Sequence, residues 1–152
     1  MLPQGAAIEA FTDLCTDVMR ERLGPESDKF KAFQEKQLRK AKEKAKVSHL
    51  VAIGMKRLPT DPDKKPMPEW EEMAAVSCAV QNMHLMATSL GVAAYWSSGG
   101  PIDDHRIIEH LGFSAAEGDK CLGLFHVGLA PPGTAQKYRA ARGDMDRKVK
   151  YL

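Results

Sequence analysis

Apolar positions along the chain alternate between helical spacing and short unbroken runs, and the alternation predicts helices interleaved with strands. Ile8, Phe11, Leu14, Cys15, Val18 and Met19 recur at helical spacing, an amphipathic first helix that Gly24-Pro25 ends. Phe30 to Lys46 reads as a second helix with few apolar anchors, chiefly Phe30, Phe33 and Leu38. Val47 to Ile53 is a short apolar run that suits a buried strand. A third helix starts at Pro68, where a missing N–H costs nothing. Glu69, Glu71 and Glu72 place negative charge at the positive end of its dipole, and Gly91 caps its other end. Between them Ala74, Ala75, Val76, Cys78, Val80 and Met83, with Leu85, Met86 and Ala87, cover most of the circumference, which predicts burial on several sides. Ser77, Gln81, His84 and Thr88 form one narrow polar stripe that must meet water, a second subunit or a polar ligand.

Val92 to Trp96 is short, apolar and aromatic, as a strand requires. The turn Ser97-Ser98-Gly99-Gly100 follows, with hydroxyls and backbone donors able to approach a phosphate or a flat ring. Asp103 or Asp104 caps a short helix ending at Gly112. Leu122, Leu124, Phe125, Val127 and Leu129 form the last strand, which Pro131-Pro132-Gly133 ends. Four prolines between Arg57 and Pro68 mark a surface loop. Residues 134–152 read as a polar, basic C-terminal extension. With no internal repeat or linker, residues 1–152 read as a single domain, a length that supports one core.

Charge changes this picture little. The net charge of +2 is too small to indicate nucleic acid or membrane as a partner. Eight basic residues against two glutamates between Lys29 and Lys46 read as a solvated helix face. The other reading is a basic face above a cofactor site that steers an anionic dinucleotide. No apolar run approaches the roughly 20 residues that span a bilayer. Cys15, Cys78 and Cys121 are odd in number and lie on apolar patterns, which suits free thiols in an intracellular reducing compartment, the cytoplasm foremost. The five histidines have no metal-ligand spacing, and there is no phosphate-binding glycine motif or nucleophile elbow.

The run from Trp70 to Gly99, WEEMAAVSCAVQNMHLMATSLGVAAYWSSG, resembles the central helix and following strand of the nitroreductase family, whose strand ends in Trp-x-Ser-Gly. Pro101 to Gly112 resembles the short family helix ending in Leu-Gly, Cys121 to Pro131 the strand with a Gly-x-x-Pro step, and Lys44 to Gly54 the strand before the central helix. The resemblance implies an α+β fold with a central, mostly antiparallel sheet flanked by helices, assembled as a homodimer on the central helix. It implies an FMN-dependent oxidoreductase that uses NAD(P)H to reduce nitroaromatic, quinone or similar small-molecule acceptors. Trp96, Ser97, Ser98 and Gly99 would line the flavin, no catalytic side chain is required, and the proline-rich loop would lie near the substrate opening. The chain opens Met1-Leu2-Pro3-Gln4-Gly5 without the family's Arg-Arg-Ser-x-Arg type motif for the flavin phosphate, and Ser97 stands where relatives often carry Arg. The fold expected is therefore N-terminally truncated relative to the family. The competing class is a truncated, non-catalytic remnant or interaction protein that binds no flavin.

Overall fold

A computed structural model describes residues 4–44, 47–57, 63, 65, 67–134, 143–144 and 148. Most of the proline-rich loop and of the predicted C-terminal extension lies outside the described residues, as do Ala45 and Lys46 at the end of the predicted second helix. The order is α1 (Gln4–Leu23), α2 (Asp28–Lys44), β1 (Val47–Met55), α3 (Glu69–Ser89), β2 (Ala93–Ser97), α4 (His105–His110) and β3 (Lys120–Gly128). The three strands form one antiparallel sheet in the order β1-β3-β2. This is an α+β fold, and no described helix is long and apolar enough to cross a membrane.

The sheet separates two apolar clusters, because successive strand residues point to opposite faces. On one face Leu124, with Leu50 and Ala52 beside it, meets Phe11, Cys15 and Val18 of α1 and Ile107 of α4. On the other, Ile53 and Phe125 meet Val80 of α3. The predicted core face of α1 is thus the observed one. Ser27 caps α2, its Oγ accepting from Phe30 N at 3.1 Å. Asp104 caps α4, accepting from Arg106 N at 3.0 Å. Helix α3 ends with Val92 N donating to Ala87 O and Gly91 N to Thr88 O, the paired bonds of a left-handed glycine cap, with Gly91 at φ +69°.

Two expectations change. The run Val47 to Ile53 is not a buried strand: β1 lies at the edge of the described sheet, Ile53 is the one buried residue of the run, and Val51 is exposed. Helix α3 is not buried on several sides within one chain: Val80 is its one buried residue, while Trp70, Leu85 and Met86 are 60–65% exposed. The helix uses a single face on the sheet. The predicted polar stripe divides accordingly. Ser77, Gln81 and Thr88 are exposed, whereas His84 turns to the sheet, its ring edge-on to Phe125 at 5.1 Å.

At one end of the sheet, Asp119 is buried and ties three segments together. It accepts from Arg57 N at 3.0 Å through Oδ1 and from Ser114 N at 2.8 Å through Oδ2. These backbone donors, Ser114 foremost, hold its carboxyl below the ordinary value against the opposing effect of burial. Asp104 is lowered too, chiefly by the Arg106 side chain, and also accepts from Arg22. A carboxyl lowered in the fold stabilises it above the unfolded value, about 3.9 for Asp, and loses that contribution as pH falls through the lower folded value. Acid titration of stability should therefore show a loss below about pH 4. Asp119→Asn should flatten that dependence, with circular dichroism as the readout; an identical acid profile in the variant would exclude Asp119 as a source.

Candidate functional site

Strand β2 and the turn after it stand between two concavities. Along β2 the side chains alternate, so Tyr95 and Ser97 face the α1 and α2 side while Trp96 faces α3. On the first side lies a cavity of about 690 Å³. Its floor is Tyr95, Ser97, Leu124 and His126, and the turn residues Gly99, Gly100 and Pro101 close one end. Helix α1 contributes Cys15, Met19 and Arg22, and α2 contributes Phe33, Lys36 and Lys40. On the second side a shallower concavity of about 330 Å³ is lined by Met73, Ser77, Trp96, Ser98 and Leu122.

The four residues predicted to line one site are thus divided by the sheet. Ser97 and Gly99 belong to the large cavity, Trp96 and Ser98 to the opposite surface. Trp96 is anchored there by Nε1 donating to Leu122 O at 3.1 Å. This bond crosses to β3 at an irregularity in the β1–β3 register, where Ile53 pairs with Gly123 and Gly54 with Cys121. Gly123 has φ +138°, and a Cβ there would lie 2.5 Å from Ser97 O and closer still to the Trp96 indole. Glycine at this position is what lets β2 and its aromatic residue close against β3.

The cavity is positive in charge. Arg22, Lys36 and Lys40 line it, and no carboxylate does among the described residues. Arg22 is itself paired, donating to Asp103 Oδ1 at 2.9 Å and to Asp104 Oδ2 at 3.2 Å, and these contacts raise its pKa. The basic run of α2 therefore has two parts. Lys29, Lys31 and Arg39 are exposed and away from the cavity, whereas Lys36, also exposed, and the half-buried Lys40 line it.

Sequence reasoning missed His126 and Tyr95 as cavity residues. They are direct partners across β2 and β3, their rings stacked at 4.4 Å and 1°. Ser97 Oγ lies 3.0 Å from His126 Nε2. The available signal was a lone imidazole in the otherwise apolar run of β3. Among the described residues no group of three or more His, Cys, Asp or Glu could hold a metal ion.

The model of the nitroreductase family matches residues 1–129. The chain belongs to the nitroreductase family. The crystal structure of a nitroreductase-like family protein from Bacillus cereus aligns with it at a TM-score of 0.59 and 23% identity, covering 91% of this chain and 66% of that one. At this identity the likeness is one of fold. The chain spans just under two thirds of the length of that relative. A comparison with curated protein sequences finds no match. In this nitroreductase-family chain the fold comes from the sheet and its helices, and the cavity chemistry from Ser97, His126 and the α2 lysines.

Proposed function

We propose that this chain is an FMN-dependent oxidoreductase that takes reducing equivalents from NAD(P)H and passes them to nitroaromatic, quinone or similar small-molecule acceptors. The observation that carries this reading is the cationic cavity between the sheet, α1 and α2. Its volume of about 690 Å³ falls in the range of about 300–1,000 Å³ in which cofactor pockets lie. Apolar and aromatic walls with a few polar groups suit a flat ring, and the lysines suit a phosphate. These residues fit FMN.

Lys36 and Lys40 would hold the phosphate as mobile point charges. Gly99 and Gly100 leave the turn backbone open, with nothing within 4 Å of where a Cβ would stand. Ser97 offers a hydroxyl, and Met19 and Phe33 exclude water from the apolar end. When bound, FMN supplies the electron-transfer chemistry, while the protein supplies position and electrostatics. Trp96 and Ser98, on the other face, would meet cofactor or substrate only across a neighbouring subunit. The exposed apolar face of α3 supports assembly as a homodimer. Cys15, Cys78 and Cys121, none of them in a disulfide, support a reducing compartment, the cytoplasm foremost.

Titration with FMN, followed by quenching of flavin fluorescence, tests the reading directly. Saturable binding is expected. Reversing charge at both Lys36 and Lys40 with Glu should weaken it by about tenfold or more and reduce its salt dependence. Absence of saturable binding by the wild-type chain would sink the proposal.

A further inference from the structure

His126 sits mid-strand in the sheet's central β3, 8% exposed. An imidazole on a largely apolar sheet face is costly unless its ring atoms are paired. Its Nε2 lies 3.0 Å from Ser97 Oγ, and its ring plane is set by the stack on Tyr95. Both neighbours come from β2, Tyr95 directly opposite and Ser97 two residues on along the same face. All three line the large cavity. A hydroxyl–imidazole pair at the wall of a cofactor-sized cavity is a means of moving a proton.

The geometry points to Ser97 and His126 as a proton-delivering pair for the acceptor as it is reduced, a role that rests on the reductase reading above. The direction of their hydrogen bond depends on the charge of the ring. Neutral with Nε2 bare, the ring accepts from the Ser97 hydroxyl. As imidazolium, Nε2–H donates to Oγ and the hydroxyl hydrogen turns toward the cavity. An acceptor oxygen that gains an electron pair becomes a stronger base. The Ser97 O–H bond then breaks as the new O–H bond forms on the acceptor, and the His126 Nε2–H bond breaks as Oγ–H re-forms. One proton leaves the imidazolium, the ring ends neutral, and solvent recharges it. The electron pair derives from the reduced nicotinamide. Tyr95 is a positioning residue that fixes the plane of the ring. The other charged or titratable groups on the cavity wall are Cys15 and Arg22 from α1 and Lys36 and Lys40 from α2.

The test compares two acceptors with the full chain loaded with FMN. Benzoquinone takes up electrons and protons; ferricyanide takes up electrons alone. His126→Gln should lower the ratio of benzoquinone to ferricyanide turnover by about 100-fold and remove one limb of the benzoquinone pH profile. Ser97→Ala should lower the ratio about tenfold, and Ser97→Thr, which keeps the hydroxyl, should restore it. In the flavin-free protein, nitrogen NMR of the imidazoles should show the His126 Nε2 resonance and its titration moved by Ser97→Ala. Equal losses with both acceptors, persistence of the limb in His126→Gln, or an Nε2 resonance indifferent to Ser97→Ala would each overturn the role. A lysine donor would give the second of these results. Failure of the wild-type chain to take up FMN removes the reductase reading and the transfer step together. Uptake with an unchanged acceptor ratio removes the pair's role alone.

Discussion

Gly123→Ala is expected to lower stability by about 2–6 kcal/mol, a large share of the roughly 5–15 kcal/mol that holds a typical domain together. Two costs add. The backbone at φ +138° is a conformation that L side chains rarely adopt, worth about 1–3 kcal/mol. The added methyl also meets the Trp96 indole and the Ser97 carbonyl, and overpacking of this kind costs about 1–3 kcal/mol. Relief by movement is restricted, because Trp96 is tied to Leu122 O and Ser97 is paired with Leu124 in the ladder. Urea denaturation of the variant against wild type measures the effect. Trp96→Phe/Gly123→Ala separates the terms, since the smaller ring should recover part of the steric cost and none of the backbone cost. A midpoint for Gly123→Ala within experimental error of wild type would exclude the close approach of β2 to β3.

The second large effect is expected at α3. If a second copy covers its exposed face, Leu85→Asp with Met86→Asp should convert a dimer to a monomer. A buried Leu or Met side chain contributes about 1.5–3 kcal/mol, and a carboxylate in its place carries a further desolvation cost. In a two-fold interface each substitution occurs twice. A weakening of at least about 1,000-fold follows, which is about 4 kcal/mol. Leu85 and Met86 are 60% and 61% exposed in the single chain, so neither change disturbs the internal packing on Val80. Sedimentation equilibrium decides the matter. A wild-type chain that is monomeric at tens of micromolar, or a double variant that remains dimeric, would remove the homodimer from the proposed function.

The parts of the fold that were legible in the sequence are those set by local chemistry. The spacing of Phe11, Cys15 and Val18 specifies the core face of α1, and Leu90-Gly91 specifies the end of α3. The resemblance carried by Trp70 to Gly99 and the downstream segments led to the right family. Two things were not legible, for different physical reasons. Periodicity reports that a face is apolar but not whether the same chain covers it, so α3 looked buried on several sides when one chain buries one. The other is the cavity, because Trp96 to Gly99 stand together in the sequence but not on one face of the sheet. The period of two in a strand sends Trp96 and Ser97 to opposite faces. The neighbour that Ser97 does meet, His126, is 29 residues away and comes close only through the antiparallel register. Lys36 and Lys40 read as part of a basic helix face, solvated or above a cofactor site, and only the packing of α2 beside the sheet brings these two to the cavity.

The strand order β1-β3-β2 also has a consequence in time. The central strand is the last of the three to be synthesised. Until Lys120–Gly128 leaves the ribosome, β1 and β2 lack the strand that joins them among the described residues, and at about 5–20 residues per second that interval lasts on the order of seconds. The apolar run of β1 and the apolar surface of α3 are exposed together throughout it. That exposure ends at about the emergence of Phe125, which packs with Ile53 of β1 and Val80 of α3 in one buried cluster.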